Sequence, residues 1–243
     1  MKKLFYITVQ VFLLINITYA CFDTYLFVRK GSMAYPYRSA VAEFTGEYSV
    51  NQLGSPQNDA FFSNLNFYYG LGENYSVQVS LGSTERARNE FSLDKFGARG
   101  VYNILAVTNY EYTLDAIAQY SGERGTSNNE FEISFPNIFR SDDMIYVVHP
   151  TFGYASESHE KSIGGHVGMF RNVNEQGIIG IGAEYASMFG SSYTGNRLTE
   201  SEFSASIFFG AHIGNSIYIQ NEIAKGLVNS RDLGFALTTK IIL

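Results

Sequence analysis

Residues 203–223 read FSASIFFGAHIGNSIYIQNEI, and this stretch decides the fold. Phe203, Ala205, Ile207, Phe209, Ala211 and Ile213 alternate with Ser204, Ser206, Phe208, Gly210 and His212. A two-residue period of this kind belongs to a strand with one apolar face and one mostly small or polar face. Gly214-Asn215 follows and predicts a two-residue hairpin turn, because both residue types tolerate positive φ. From Ser216 to Lys225 the alternation resumes, with Ile217, Ile219 and Ile223 against Tyr218, Gln220 and Glu222. Each arm is about ten residues, the length with which a tilted strand crosses the hydrocarbon layer of a bilayer.

The same pattern recurs outward from this hairpin. Ala42, Phe44, Tyr48 and Val50 oppose Glu43, Thr45, Glu47 and Ser49, while Tyr75, Val77, Val79 and Leu81 oppose Ser76, Gln78, Ser80 and Gly82. Tyr112, Leu114, Ala116 and Ala118 are expected outward, with Glu111, Thr113, Asp115 and Gln119 inward. The polar stretch from Thr84 to Asp94 predicts a long loop, and Pro136 is expected to end the sixth strand. About twelve strands result. Short connections alternate with longer polar ones, the order of periplasmic turns and extracellular loops in an antiparallel up-and-down transmembrane β-barrel. Arg171 and Asn221 fall on the outward face, so a one-residue slip of register near either would exchange the faces.

Composition agrees with an all-β membrane protein. Hydrophobic residues make up 45% of the 243-residue chain, yet after the N-terminus they are dispersed by alternation. No later run approaches the roughly 18 apolar residues of a membrane-spanning helix. Trp is absent, so an aromatic girdle at the interfaces has to be built from Tyr and Phe. Met1-Lys2-Lys3, the apolar run from Leu4 to Ile17 and the small residues Thr18 and Ala20 predict a secretory signal peptide over residues 1–20. That leader carries two lysines and no acid, so its removal takes the net charge from −6 to −8. So acidic a chain is not expected to bind nucleic acid. Cys21, the one cysteine, excludes an intrachain disulfide and stands where a lipid-modified N-terminus would begin. Residues 21–39 lack a sustained period and read as a periplasmic lead-in or a segment tucked into the barrel mouth, ahead of a barrel over residues 40–243.

On these residues the chain resembles the outer-membrane β-barrels of Gram-negative bacteria over its whole mature length. It ends on a strand with a hydrophobic last residue, although Leu243 stands where such barrels usually carry Phe or Trp. The resemblance implies a cell outer-membrane location, contact with outer-membrane lipid, and insertion by the barrel-assembly machinery. YGLGENYSV at residues 69–77 followed by FGAR at 96–99 is also similar to the barrel family associated with meta-pathway phenol degradation, which implies a transport-like role.

Charged side chains cannot face mid-membrane hydrocarbon without a cost of about 2–4 kcal/mol for Arg or Lys, so they are expected to point inward. The resulting pore-lining candidates are Glu43, Glu47, Arg99, Glu111, Asp115, Glu132, His149, His166, Glu184, His212, Glu222 and Lys240. Carboxylates outnumber cations, which predicts a porin-like channel for small polar or cationic solutes. The other reading of the same charges is a polar core that fills the barrel, with no transport. His149, His166 and His212 come from separate strands without ligand spacing, so no metal, cofactor or catalytic residue is expected. An outer-membrane lipid hydrolase is the alternative enzymatic class. Ser158-His159-Glu160 is its nearest candidate, placed in an exposed loop where no neighbour is expected to hold the imidazole.

Overall fold

A computed structural model describes residues 32–50, 60–87, 90–107, 111–125, 127, 129–157, 159, 161–174, 176–189, 202–228 and 233–243. The expected leader, Cys21 and the loop residues 51–59 and 190–201 lie outside them. The described strands are β1 (Ala40–Val50), β2 (Ala60–Gly70), β3 (Tyr75–Ala87), β4 (Glu90–Val107), β5 (Tyr112–Glu123), β6 (Asn129–Ser134) and β7 (Asn137–Ser141), followed by β8 (Met144–Ala155), β9 (Lys161–Asn172), β10 (Gly177–Phe189), β11 (Glu202–Ile213), β12 (Ile217–Val228) and β13 (Leu233–Ile242). Every pairing is antiparallel, and β1 pairs with β13 from Val41–Ile242 to Val50–Leu233. The sheet therefore closes on itself and leaves no free edge.

β6 and β7 together make one crossing of a 12-strand barrel. Ser134 and Asn137 pair with Ile117 and Leu114 on one side and with Thr151 and Val148 on the other, so no residue is gained or lost across Phe135-Pro136. The expectation that Pro136 ends the strand is thus corrected. Proline lacks only its own N–H, and the ladder continues around it: Phe135 N donates to Pro150 O at 3.0 Å, and Pro136 O accepts from Asp115 N at 3.0 Å.

Two other expectations change. The predicted Thr84–Asp94 loop is mostly ladder, with Thr84 opposite Ser92 and Ala87 opposite Glu90, and a register shift leaves Asp94 as the extra residue. Charge on a strand that extends past the membrane rim is solvated, so it does not signal a loop. The β11–β12 turn holds three residues, because Ile213 pairs with Ile217. Gly214 alone of the three takes positive φ, at 65°. No slip of register occurs at the two positions in question. Arg171 sits at the end of β9, its guanidinium 3.6 Å from Asp143 in the β7–β8 turn, and Asn221 shares its rung with the outward Phe209 and Leu237.

Burial is inverted relative to a water-soluble domain. Phe44, Phe67, Val79, Ile133, Val148, Val167, Ile181, Ile207, Phe209 and Leu237 each expose between 42% and 55% of their surface, and they circle the outside of the barrel. A continuous apolar belt of this extent is stable only against lipid. Inside, Val101, Ile117, Ile138, Ile145, Val147, Phe170, Ile178 and Phe208 form one buried cluster with Met33 and Ala34. The ladder explains their direction: Val147 lies between the exposed Tyr146 and Val148, and Phe208 between the exposed Ile207 and Phe209. Gly180 makes room for them, since a Cβ there would fall 2.2 Å from the Phe208 ring.

Candidate functional site

The interior has two halves of different character. In the half next to the short turns, the periplasmic half in the expected order of turns and loops, residues 32–35 run inside the wall, and all four are buried. Ser32 Oγ donates to Asp115 at 2.8 Å, Met33 N donates to the same carboxylate at 2.5 Å, and Tyr35 N donates to Ser76 Oγ at 3.1 Å. These partners belong to β5 and β3, the two neighbours of β4, and Met33 and Ala34 join the inner cluster of Val147, Phe170 and Phe208, so the segment lies inside the barrel. It leaves past the rim of β2, where Arg38 N donates to Gly70 O and Gly70 N to Ser39 O. The approach there is so close that a Cβ on Gly70 would lie 1.8 Å from the Pro36 carbonyl oxygen, which excludes any side chain.

Two buried charged groups anchor this half. Lys240 Nζ lies 2.8 Å from Glu43, on the adjacent strand and in the same rung. Asn66 Nδ2 and Tyr68 OH donate to that carboxylate at 2.6 and 3.1 Å, while Lys240 also donates to Tyr35 OH at 3.2 Å. Lysine and glutamate are tolerated at this burial because each finds both a counter-charge and hydrogen bonds. The second group is Asp115, fully buried, which accepts from Ser32, Met33 and, at 2.7 Å, Asn103 Nδ2. Glu222 is also buried and faces inward, in the rung of Phe208 and Ala236.

Toward the longer connections the interior becomes polar and more exposed. Asn64, Lys95 and Glu130, all on inward rungs, are exposed, and Glu47, Glu132 and Glu184 are half-buried. Arg99 is buried and points inward in the rung of Gln78 and Gln119. His149, His166 and Glu184 occupy one continuous rung across β8, β9 and β10. The two imidazole rings are 5.2 Å apart and His166 Nδ1 is 3.6 Å from Glu184. Separate strands suggested no constellation, but register brings the three together. Among the described residues no group of three such side chains is arranged to hold a metal ion.

Other candidates lie apart. His212 faces inward near the β11–β12 turn, its ring 5.0 Å from Tyr218. Glu111 belongs to the turn before β5 and is exposed at the rim, where its carbonyl accepts from Arg140 N. It does not line the wall, because β5 begins after it, at Tyr112. In the loop at His159, Tyr154 OH lies 2.9 Å from Nδ1, so a neighbour does hold that exposed imidazole, contrary to expectation.

The alternation rule missed the apolar inner cluster, and it does not choose between the two readings of residues 21–39. Met144-Ile145-Tyr146-Val147-Val148 is apolar on both faces, which is the local signature of a strand buried on its inner side as well as lipid-facing on its outer one. No comparable local signal marks residues 32–35.

No family model and no curated protein matches the chain. Solved structures do. An outer-membrane channel from Pseudomonas putida F1 superposes with a TM-score of 0.66 at 10% identity, over 86% of this chain and 97% of that one. The NanC porin gives 0.62 at 9% identity, over 83% and 100%. The β domain of the Bordetella autotransporter BrkA gives 0.52 at 13%, over 84% and 98%. Porins and an autotransporter domain share one scaffold, so at these identities the likeness speaks for architecture. By its closed ladder, its apolar outer belt and these superpositions, the chain has the fold of a transmembrane β-barrel of the Gram-negative outer-membrane type.

Proposed function

We propose that this barrel is a gated, porin-like channel for small polar or cationic solutes, entered through an acidic outer vestibule and closed in its periplasmic half by residues 32–35. The observation that carries the reading is the inward charge. Glu43, Glu47, Asp115, Glu132, Glu184 and Glu222 face the interior against Arg99, Arg140, Lys95 and Lys240, and Glu43 is already matched by Lys240. In a narrow, low-dielectric passage such a surplus concentrates cations and repels anions. Lipid, small polar solutes and the assembly machinery are the partners this reading requires.

The packed inner cluster favours a second reading, a filled barrel that serves as a surface or structural component. Single-channel conductance of the refolded mature protein in a planar bilayer, under a salt gradient, separates the two. The channel reading expects discrete, infrequent openings with a cation-selective reversal potential. Anion selectivity, or silence from a heat-modifiable barrel even after Ser32→Ala/Met33→Gly loosens the inner segment, overturns it.

A further inference from the structure

We infer that residues 32–35 sit in a solute site, and that the solute which competes with them is an organic ammonium ion carrying an apolar body. This inference rests on the channel reading and narrows its substrate class. Asp115 is a fully buried carboxylate whose hydrogen bonds come from neutral donors, two of the three from the inner segment itself. Withdrawal of that segment leaves the anion with one hydrogen bond, from Asn103, and the more distant charge of Arg99. A buried carboxylate with so little compensation strongly favours a cation in the vacated position. Arg99 does not fill that place, since it stands two inward positions further along the wall, in the rung of Gln119.

The chemistry beside Asp115 specifies the rest of the solute. Met33 and Ala34 pack into the cluster that contains Ile117, Val147, Phe170 and Phe208, so the space next to the carboxylate is apolar and of side-chain size. Small inorganic cations gain nothing from such a wall, whereas an alkyl or aryl ammonium gains from both parts. Thr113 and Ser134 supply a further sign. Both hydroxyls are buried on the inner face and have no hydrogen-bond partner among the described residues. Thr113 is the neighbouring inward position to Asp115, and Ser134 shares the rung of Ile117. An ammonium group has three donors and can serve more acceptors than the single backbone N–H of Met33.

The segment is also built to leave. Ser32 to Tyr35 belong to no strand, while Pro36 to Ser39 remain tied to Gly70 at the rim. Among the described residues, displacement costs the buried contacts and the hydrogen bonds of residues 32–35 and leaves β1 and the ladder intact.

The test uses the refolded mature chain and benzylammonium as the probe, with benzyl alcohol and benzoate as comparators, by equilibrium binding in detergent and by flux into vesicles. Ser32→Ala/Met33→Gly should bind benzylammonium at least tenfold more tightly than the wild type and gain nothing for benzoate. Adding Asp115→Asn should remove the gain. If the double variant loses heat-modifiable migration, Met33→Asn carries the same comparison. An equal gain for benzyl alcohol or benzoate, no gain at all, or a gain that survives Asp115→Asn overturns the site. Binding without flux overturns the channel and leaves the site standing; cation-selective flux without binding does the reverse.

Discussion

The two halves of the interior solve opposite problems with the same ladder. Around Lys240, Asp115 and Phe208 the wall is packed, with Lys240 matched by Glu43 and Asp115 held by neutral donors. Around Glu47, Glu132, Glu184 and Lys95 the side chains are half-buried or exposed, and water can serve them. The difference teaches where stability and where selectivity reside. A charge removed from the packed half leaves its partner stranded in low dielectric, whereas a charge removed from the polar half mainly alters the field that a passing ion meets.

The sharpest way to break this contrast is Lys240→Ala, which strands Glu43 and should destabilise the barrel by about 3–5 kcal/mol in urea-induced unfolding from lipid vesicles. Glu43→Gln/Lys240→Met should recover most of that loss, because it removes both charges. If the single variant unfolds like the wild type, the packed half is wetter than its geometry implies.

On the outer belt, Val79→Arg should cost about 2–4 kcal/mol in the same assay, since the new charge faces hydrocarbon. Arginine placed at Glu132, inward in the polar half, should change stability by no more than about 0.5 kcal/mol, as solvated substitutions usually do. Equal costs at the two positions would mean the faces are exchanged.

Gly70→Ala forces a methyl group onto the Pro36 carbonyl. It should cost about 1–3 kcal/mol through overpacking, and its readable consequence is more frequent channel openings as the inner segment is pushed from the rim. Glu184→Gln should have the smallest effect on unfolding, within about 0.5 kcal/mol. Its signature is a reversal potential moved toward zero, with the shift fading at 1 M salt, where the Debye length falls to about 3 Å.

Some of this contrast was legible in local sequence. Alternation placed Glu43, Asp115, Glu222 and Lys240 on the inner face, and the structure keeps them there. It also gave nearly every strand, because a period of two is a property of neighbouring residues. The errors share a cause. Pro136 and the Thr84–Asp94 stretch were judged from residue type, and Glu111 from alternation carried past the strand's end, whereas ladder hydrogen bonds from adjacent strands decide where a strand runs.

What the amino-acid sequence determines by itself is the barrel: strand length, the lipid face, the polar face, and the surplus of acid that must turn inward. What only the tertiary structure decided is how those inward groups meet. The rung of His149, His166 and Glu184, the pairing of Lys240 with Glu43 across residues nearly two hundred positions apart, and the passage of residues 32–35 between β5 and β3 all depend on register and closure. Register and closure are set by the whole ring of strands at once, and no single strand's alternation encodes them.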